Sequence, residues 1–83
     1  MNVTVLFFAQ LADVAGTRRT SFTLEKGTLA ELFEHLSAAL SLELIEALRA
    51  ENVRIARNQD LWDGIGLLAE GDEVAFLPPV TGG

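Results

Sequence analysis

The last eight residues of the chain form a segment whose terminal carboxylate could take part in covalent chemistry. They read F-L-P-P-V-T-G-G, from Phe76 to Gly83. The two prolines favour an extended backbone after Leu77, and the six residues from Pro78 can reach about 20 Å. Gly82 and Gly83 lack Cβ atoms, so this backbone could enter a channel too narrow for other residues. The reactive group would be the α-carboxylate of Gly83, which accepts a nucleophile once it is converted to an acyl anhydride, for instance with AMP.

The rest of the sequence lacks the side chains that most enzymes use. It has no cysteine, which excludes thiol catalysis, iron–sulfur clusters and cysteine-rich zinc sites, and it has no phosphate-binding glycine loop or nucleophilic serine motif. Its single histidine, His35, lies four residues after Glu31, but two ligands do not make a metal site. We expect His35 to face solvent. Any sulfur chemistry would therefore have to use a group other than a side chain.

Three further polar or aromatic features have structural explanations. Asp72 and Glu73 are adjacent carboxylates at the start of a strand, where neighbours point to opposite faces, so we expect a turn residue and a solvated edge rather than an acid/base pair. Trp62 is expected to cover the edge of the core, with its N–H bound to water. The glycines at 64 and 66 lack the strand and helix that flank a phosphate-binding loop.

Length and charge limit the classes of partner. Eighty-three residues allow one small domain, and a hydrophobic content of 49% supports a core without disulfides. A formal charge of −6 opposes binding to nucleic acid or to anionic membranes and hints at a basic partner surface. The uncharged residues 1–12 are too few to span a bilayer. A secretory signal has basic residues before its apolar segment, and none precedes this one. We expect a cytoplasmic protein.

The hydrophobic pattern predicts strands, helices and their order. Strands are expected at 3–8, 19–24, 53–57, 60–62 and 74–77, with a turn at Asn58-Gln59 and a short helix within 9–16. The clearest helix begins after Thr28, which forms a capping box with Glu31, and a second short helix follows Ser41. The main helix carries one apolar stripe, made of Leu29, Leu32, Phe33, Leu36 and Leu40.

These elements predict an α+β roll with a mixed sheet and one main helix packed on one face. The first strand is apolar on both faces, so we place it centrally, parallel to the last strand. This order matches a β-grasp, or ubiquitin-like, arrangement. Residues 1–77 would form the domain, and residues 78–83 a flexible tail ending in diglycine.

The tail, the residues E-G-D-E-V-A-F before it, and the opening V-L-F-F-A-Q-L resemble the small subunit of molybdopterin synthase, a family of ubiquitin-like sulfur carriers. The resemblance spans essentially the whole chain. It implies that an adenylyltransferase of the ubiquitin-activating type uses ATP and magnesium to form an acyl-adenylate at Gly83. A sulfur donor protein would then supply sulfur to give a thiocarboxylate. The chain itself would hold no cofactor stably and no metal.

The resemblance also implies a partner and a docking surface. The loaded tail, with Gly82 and Gly83 at its end, would insert into the large synthase subunit and give sulfur to cyclic pyranopterin monophosphate. Two small subunits would flank a dimer of large ones, and catalysis would reside in the large subunit. The family docks through a hydrophobic patch beside the tail. We assign that patch here to Phe8 and Leu77 by strand parity and to Leu61 because it lies on the nearby hairpin. The segment assigned to partner binding is Pro78, Pro79, Val80 and Thr81. A second small core under a loop is the alternative for the patch.

Two other functions fit the same residues. The first is a sulfur carrier for thiamine synthesis, or a ubiquitin-like modifier that is joined to lysines, since such relatives also end in diglycine. The second is a β-grasp interaction module without covalent chemistry, for which Gly83 would be dispensable and the tail merely a disordered end.

Overall fold

Helices cover one face of a five-stranded mixed sheet in the computed structural model, which describes residues 1–79. The strands are β1 (Asn2–Phe7), β2 (Arg19–Thr23), β3 (Arg54–Arg57), β4 (Asp60–Leu61) and β5 (Glu73–Leu77). The helices are α1 (Gln10–Ala15), α2 (Leu29–Ala39) and α3 (Leu42–Leu48). The predicted α+β class is confirmed, and each predicted element is present with its ends displaced by a residue or two.

The sheet brings the two ends of the domain together. Its strand order is β2-β1-β5-β3-β4, and β1 pairs with β5 in parallel while the other three pairs are antiparallel. In this register Val5 lies beside Val74, and Phe7 lies beside Phe76. The predicted parallel pairing of the first and last strands is therefore correct, and both strands have a partner on each side.

The core lies between the sheet and the helices. Alternate residues of β1 and β5 face the helices and are almost completely buried, whereas their neighbours along each strand face the other way. Phe7 stacks on Phe76 with ring centroids 6.0 Å apart, and Phe33 meets Phe76 edge-on at 5.8 Å. Burying each such side chain stabilises the fold by about 1.5–3 kcal/mol. The other large side chains with no exposed surface include Leu32, Leu36 and Leu44.

Side-chain caps begin both longer helices where the sequence predicts them. The Thr28 hydroxyl accepts the Glu31 N–H at 3.1 Å, and the Ser41 hydroxyl accepts the Leu44 N–H at 3.1 Å. The return half of the predicted capping box is wrong, because the Glu31 carboxylate accepts the N–H groups of residues 25, 26 and 27 at 2.8–2.9 Å. The hydrogen bond from the Glu25 backbone is the main reason that the pKa of Glu31 lies below its ordinary value.

His35 is only partly solvent-facing. Its side chain is 41% exposed, its ring lies 5.7 Å from that of Phe22, and its Nε2 is 3.8 Å from a Glu31 carboxylate oxygen. Within residues 1–79, no group of three or more His, Asp or Glu side chains is placed to hold a metal ion. None of the helices described is long and apolar enough to cross a membrane.

We expect Gly27→Ala to destabilise the domain more than Gly16→Ala. Both glycines have positive φ angles, +80° and +76°, so alanine costs about 1–2 kcal/mol at either position. A Cβ at Gly27 would also lie 2.9 Å from the Leu68 carbonyl oxygen. That oxygen cannot easily move, because the Leu68 N–H donates a hydrogen bond to the Gly27 carbonyl. A Cβ at Gly16 meets nothing within 4 Å. Urea unfolding of the two variants measures the difference, and equal midpoints would show that the close approach at Gly27 is without consequence.

Candidate docking face and tail

The face of the sheet that turns away from the helices carries the predicted docking residues. Strand alternation places Leu6 and Ala75 on this face, and the register continues from Ala75 to Ala56 and then to Leu61. Phe8 follows β1 directly, and its N–H donates to the Phe76 carbonyl at 3.3 Å. These residues form what we call the open-face patch: Leu6, Phe8, Ala56, Leu61, Ala75 and Leu77.

The open-face patch consists of two rows that cross the strands. The first row runs Leu6, Ala75, Ala56, Leu61 across four strands, a span of about 14 Å at the usual strand spacing. The second row places Phe8 beside Leu77, at the end of the sheet where β5 stops. Phe8 is 44% exposed and Leu61 is 69% exposed, while Leu77 is half-buried. The three predicted patch residues therefore share one face, and Leu61 is not part of a core under a loop.

A strained turn reverses the chain immediately after Phe8. Leu11 N–H donates to the Phe8 carbonyl at 3.0 Å, and Ala9 between them has φ 51° and ψ −131°. These angles belong to the first central position of a type II′ turn, which glycine normally occupies, so alanine there costs about 1–3 kcal/mol. The turn keeps Phe8 at the end of the sheet instead of letting β1 continue. The sequence gives no sign of this feature, because alanine is not a turn residue.

Asp72 ties the β3–β4 hairpin to the start of β5. One of its carboxylate oxygens accepts hydrogen bonds from Arg57 Nε at 3.0 Å and from the Ala69 N–H at 2.8 Å, and the other accepts the Asn58 amide at 2.9 Å. Arg57 Nη2 lies 2.8 Å from the same oxygen that Nε reaches. Only 8% of Asp72 is exposed, so the expectation of a simple turn residue is wrong. The sequence conceals this role because Arg57 and Asp72 lie fifteen positions apart.

The hydrogen bond from the Asn58 amide is the largest influence on the ionisation of Asp72. Together with the Ala69 N–H and the Arg57 guanidinium, it lowers the pKa of Asp72 below its ordinary value, and these effects outweigh the desolvation that acts in the opposite direction. Asn58 also exchanges hydrogen bonds with the backbone of Glu73, at 2.8 and 2.9 Å. The carboxylate therefore holds the hairpin turn against β5 as an anion.

Trp62 extends this network towards the exposed end of the open-face patch. The Arg57 guanidinium carbon lies 5.7 Å from the centre of the indole ring, within the range of a cation–π interaction. The indole N–H donates to the Ile65 carbonyl at 2.9 Å, so the expectation that it would bind water is wrong. Trp62 packs partly against the core as predicted. Because Trp62 directly follows Leu61, its fixed ring orients the two-residue strand that presents Leu61.

The tail leaves the domain beside this patch. β5 ends at Leu77, and Pro78 and Pro79 follow it, both half-buried. Pro79 lines an open groove together with Arg54, Leu61 and Trp62. The other predicted tail residues, Val80, Thr81, Gly82 and Gly83, lie outside the described residues, so their roles stay predictions.

A protein-family model described as the ThiS family matches residues 5–83 of the chain. The chain belongs to the ThiS family. The match includes both sequence segments that carry the resemblance, V-L-F-F-A-Q-L at residues 5–11 and the C-terminal residues, and the resemblance is confirmed.

Individual relatives agree with this family membership over nearly the whole chain. A protein of Escherichia coli K12 named molybdopterin synthase sulfur carrier subunit is 42% identical over 81 residues, which cover 98% of this chain and 99% of that protein. Among solved structures, SAMP1 from Haloferax volcanii has a TM-score of 0.83 at 25% identity, with complete coverage of both chains. A chain from the complex of subunits 1 and 2 of molybdopterin-converting factor from Helicobacter pylori has a TM-score of 0.75 at 31% identity, also with complete coverage of both chains. These neighbours confirm the ubiquitin-like β-grasp fold.

We expect Asp72→Asn to destabilise this ThiS-family protein by about 2 kcal/mol near neutral pH, because it leaves the Arg57 guanidinium without its anion. For a domain of this size that corresponds to a melting temperature lower by roughly 10 °C. The folded-state pKa of Asp72 lies below its unfolded value, so its contribution is complete above the unfolded value and is lost as the pH falls through the folded value.

The difference in unfolding free energy between wild type and Asp72→Asn should therefore shrink as the pH is lowered from 7 to 3. Asp60→Asn is the matched control, since Asp60 is an exposed aspartate on the same hairpin and should show a small difference throughout. A wild-type advantage that stays constant down to pH 3 would contradict an ionic role for Asp72.

Proposed function

We propose that this chain is a sulfur carrier of molybdenum cofactor biosynthesis and that the Gly83 carboxylate is the group that carries the sulfur. The position of exposed Phe8 and half-buried Leu77 beside the point where the tail leaves the sheet is the observation that carries the proposal. A carrier with a reactive chain end needs a surface that aligns the end with the active site of its partner. Phe8 and Leu77 offer such a surface next to Pro78. The name of the Escherichia coli relative supports the choice of pathway.

The chemistry would proceed in three steps that all involve the carboxyl group of Gly83. An adenylyltransferase of the ubiquitin-activating type would bind ATP and magnesium, and the Gly83 carboxylate would attack the α-phosphorus with loss of pyrophosphate. A sulfur donor protein would then attack the acyl carbon with a persulfide sulfur and release AMP. A thiol reductant would then supply the two electrons that cleave the acyl disulfide, which leaves the thiocarboxylate on Gly83 and releases the donor protein with its cysteine as a thiol. The chain supplies no catalytic side chain to these steps, which agrees with its lack of cysteine, and it would hold no cofactor stably.

The large subunit of molybdopterin synthase would be the acceptor. Its active site would receive Val80, Thr81, Gly82 and Gly83, and sulfur would pass to cyclic pyranopterin monophosphate bound there. Each product needs two sulfur atoms, so two carriers would serve one product, in a heterotetramer of two small and two large subunits. The structural neighbour from a complex of subunits 1 and 2 of molybdopterin-converting factor supports this kind of partner. A carrier in an ATP-dependent pathway would work in the cytoplasm.

A role as a protein modifier is the second candidate. The structural similarity to SAMP1, whose counterpart in a second solved structure is described as a small archaeal modifier protein, favours it. Such a protein would use the same acyl-adenylate at Gly83 but would end in an isopeptide bond to a lysine. A carrier for thiamine synthesis would share the thiocarboxylate and differ in its acceptor.

We expect the purified chain to gain the mass of one oxygen-to-sulfur exchange at Gly83 when it is incubated with the adenylyltransferase of this pathway, ATP, magnesium and a sulfide source. Intact-protein mass spectrometry measures the exchange, and fragmentation places it. A chain that lacks Gly83 is the control and should remain unchanged. An unmodified full-length chain, in the presence of an enzyme that modifies its own known carrier, would contradict the carrier proposal and favour the non-covalent module.

We expect Leu77→Glu to weaken binding to the large synthase subunit by at least tenfold, because it places a charge within the apolar contact. Leu42→Glu is the matched control: Leu42 is 68% exposed at the start of α3, which packs on the opposite face of the sheet. Isothermal titration calorimetry measures both affinities, and circular dichroism checks that both variants fold. Unfolding of Leu77→Glu would assign Leu77 to the core, and equal affinities of two folded variants would exclude the open-face patch as the docking surface.

A further inference from the structure

We propose that the open-face patch docks against a partner surface that presents carboxylate groups to Arg54 and Arg19. This inference rests on the proposed function only in taking the open-face patch as the docking surface. It concerns the charge of the partner surface. The net negative charge of the chain predicts a basic partner surface, whereas the proposal is an acidic one.

Charge is distributed unevenly between the two faces of the sheet. The chain carries twelve carboxylate side chains and six Lys and Arg side chains, and the formal charge is −6. Strand register nevertheless places two arginines on the open face, Arg19 beside Leu6 and Arg54 beside Leu77, with Glu73 as the one acidic residue of the five strands on that face. The strands of the docking face therefore carry more arginines than carboxylates, although the protein as a whole is acidic.

The two arginines flank the open-face patch at different edges. Arg19 lies on β2, beside Leu6, and so borders the first row at the end opposite to Leu61. Arg54 lies on β3 and ends the row formed by Phe8 and Leu77. It also lines the groove that contains Pro79, so it borders the path of the tail. A partner that covers the patch and receives the tail must cover both guanidinium groups or border on them.

Neither guanidinium is committed to an ion pair within residues 1–79. No described carboxylate lies within 4.0 Å of Arg19 or Arg54; the arginine that does form an ion pair in this part of the chain is Arg57, with Asp72. Both arginines are exposed.

Two carboxylates line the same groove as Arg54 without pairing with it. They belong to Glu51 and Asp63. Asp63 accepts the Ile65 N–H at 2.9 Å, which holds its carboxylate in the loop. Arg49, by contrast, is placed over the Phe33 ring on the helical side of the molecule. Arg18 is also exposed and outside the ion pairs, but it precedes β2 and has no place in the strand register. Arg54 and Arg19 are thus the arginines that the register places on the open face and leaves available to a partner.

The cost of removing water from these two unpaired arginines indicates which charge the partner surface carries. A guanidinium at the border of an apolar contact loses water when the contact forms, and this loss is unfavourable unless a carboxylate replaces the water. Arginine matches a carboxylate with two parallel N–H···O bonds, which makes the pair specific in direction as well as charge. A basic partner surface would instead repel both side chains where the two proteins are closest.

The test compares Arg54→Glu with Lys26→Glu in binding to the large synthase subunit of the same organism. Both substitutions change the net charge from −6 by two units in the same direction, so any effect of overall charge is equal. Lys26 is exposed beside Gly27, whose surroundings include Met1, so it lies at the end of the sheet opposite to the tail. Stopped-flow association at several salt concentrations and the equilibrium affinity are measured for each.

We expect Arg54→Glu to slow association and to weaken affinity by about tenfold or more, while Lys26→Glu remains within about twofold of wild type. Arg19→Glu should act in the same direction as Arg54→Glu. Faster association of both Arg54→Glu and Lys26→Glu would show that overall charge meets a basic partner, and would overturn the proposal. Unchanged binding of a folded Arg54→Glu would also overturn it.

The Leu77→Glu variant distinguishes the location of the docking surface from the charge of the partner surface. If Leu77→Glu loses affinity and Arg54→Glu does not, the docking surface stands and the acidic character of the partner is wrong. If Leu77→Glu binds as wild type does, the docking surface itself is wrong, and the charge inference falls with it. Arg54→Gln removes the positive charge without adding a negative one. Its loss of affinity should lie between those of wild type and Arg54→Glu, which would show that the effect does not come only from the introduced carboxylate.

Discussion

The parallel pairing of β1 with β5 is the constraint on which the rest of the structure depends. It joins the first and last strands of the domain, so Phe7 and Phe76 stack at the centre of the core with their rings 6.0 Å apart. The same pairing sets Phe8 beside Leu77 on the other face, at the point where the chain leaves the sheet. One register therefore determines both the packing of the core and the position of the apolar patch relative to the tail. A shift of one residue would turn both sets of side chains over.

Strand alternation gives the two faces of this sheet different tasks. One face is covered by helices and holds nearly all the large buried side chains. The other keeps Phe8 and Leu61 exposed at opposite ends of the open-face patch. An apolar patch with exposed members is typical of an interaction surface. Arginines border this exposed surface although the protein as a whole is acidic. Overall charge and local charge thus describe different properties, the first solubility and long-range attraction, the second the contact itself.

Stability and presentation of the patch are linked through the β3–β4 hairpin. Asp72 holds the hairpin turn by accepting hydrogen bonds from Arg57, Asn58 and Ala69, and Arg57 in turn faces Trp62. The result is a fixed two-residue strand at the edge of the sheet, too short to hold its place through its own ladder of hydrogen bonds. At the other end of the patch, the strained turn at Ala9 has a similar role for Phe8. Both ends of the patch are positioned by interactions that lie outside it.

Local features of the chain were predictable because their causes are local. The sequence by itself determined the strands and helices, the caps at Thr28 and Ser41, the turn at Asn58-Gln59, the α+β class and the family, since each depends on residues close together or on a continuous motif. Only the tertiary structure decided the roles of Glu31, Asp72 and Ala9. Asp72 accepts a hydrogen bond from Arg57, which the fold brings from fifteen positions away. Glu31 accepts from residues 25–27 because the loop before α2 folds back over the start of that helix. Ala9 adopts an unfavourable angle because the chain must reverse there. The basic border of the patch also arises from register, because strand pairing, not sequence distance, places Arg54 beside Leu77 and Arg19 beside Leu6.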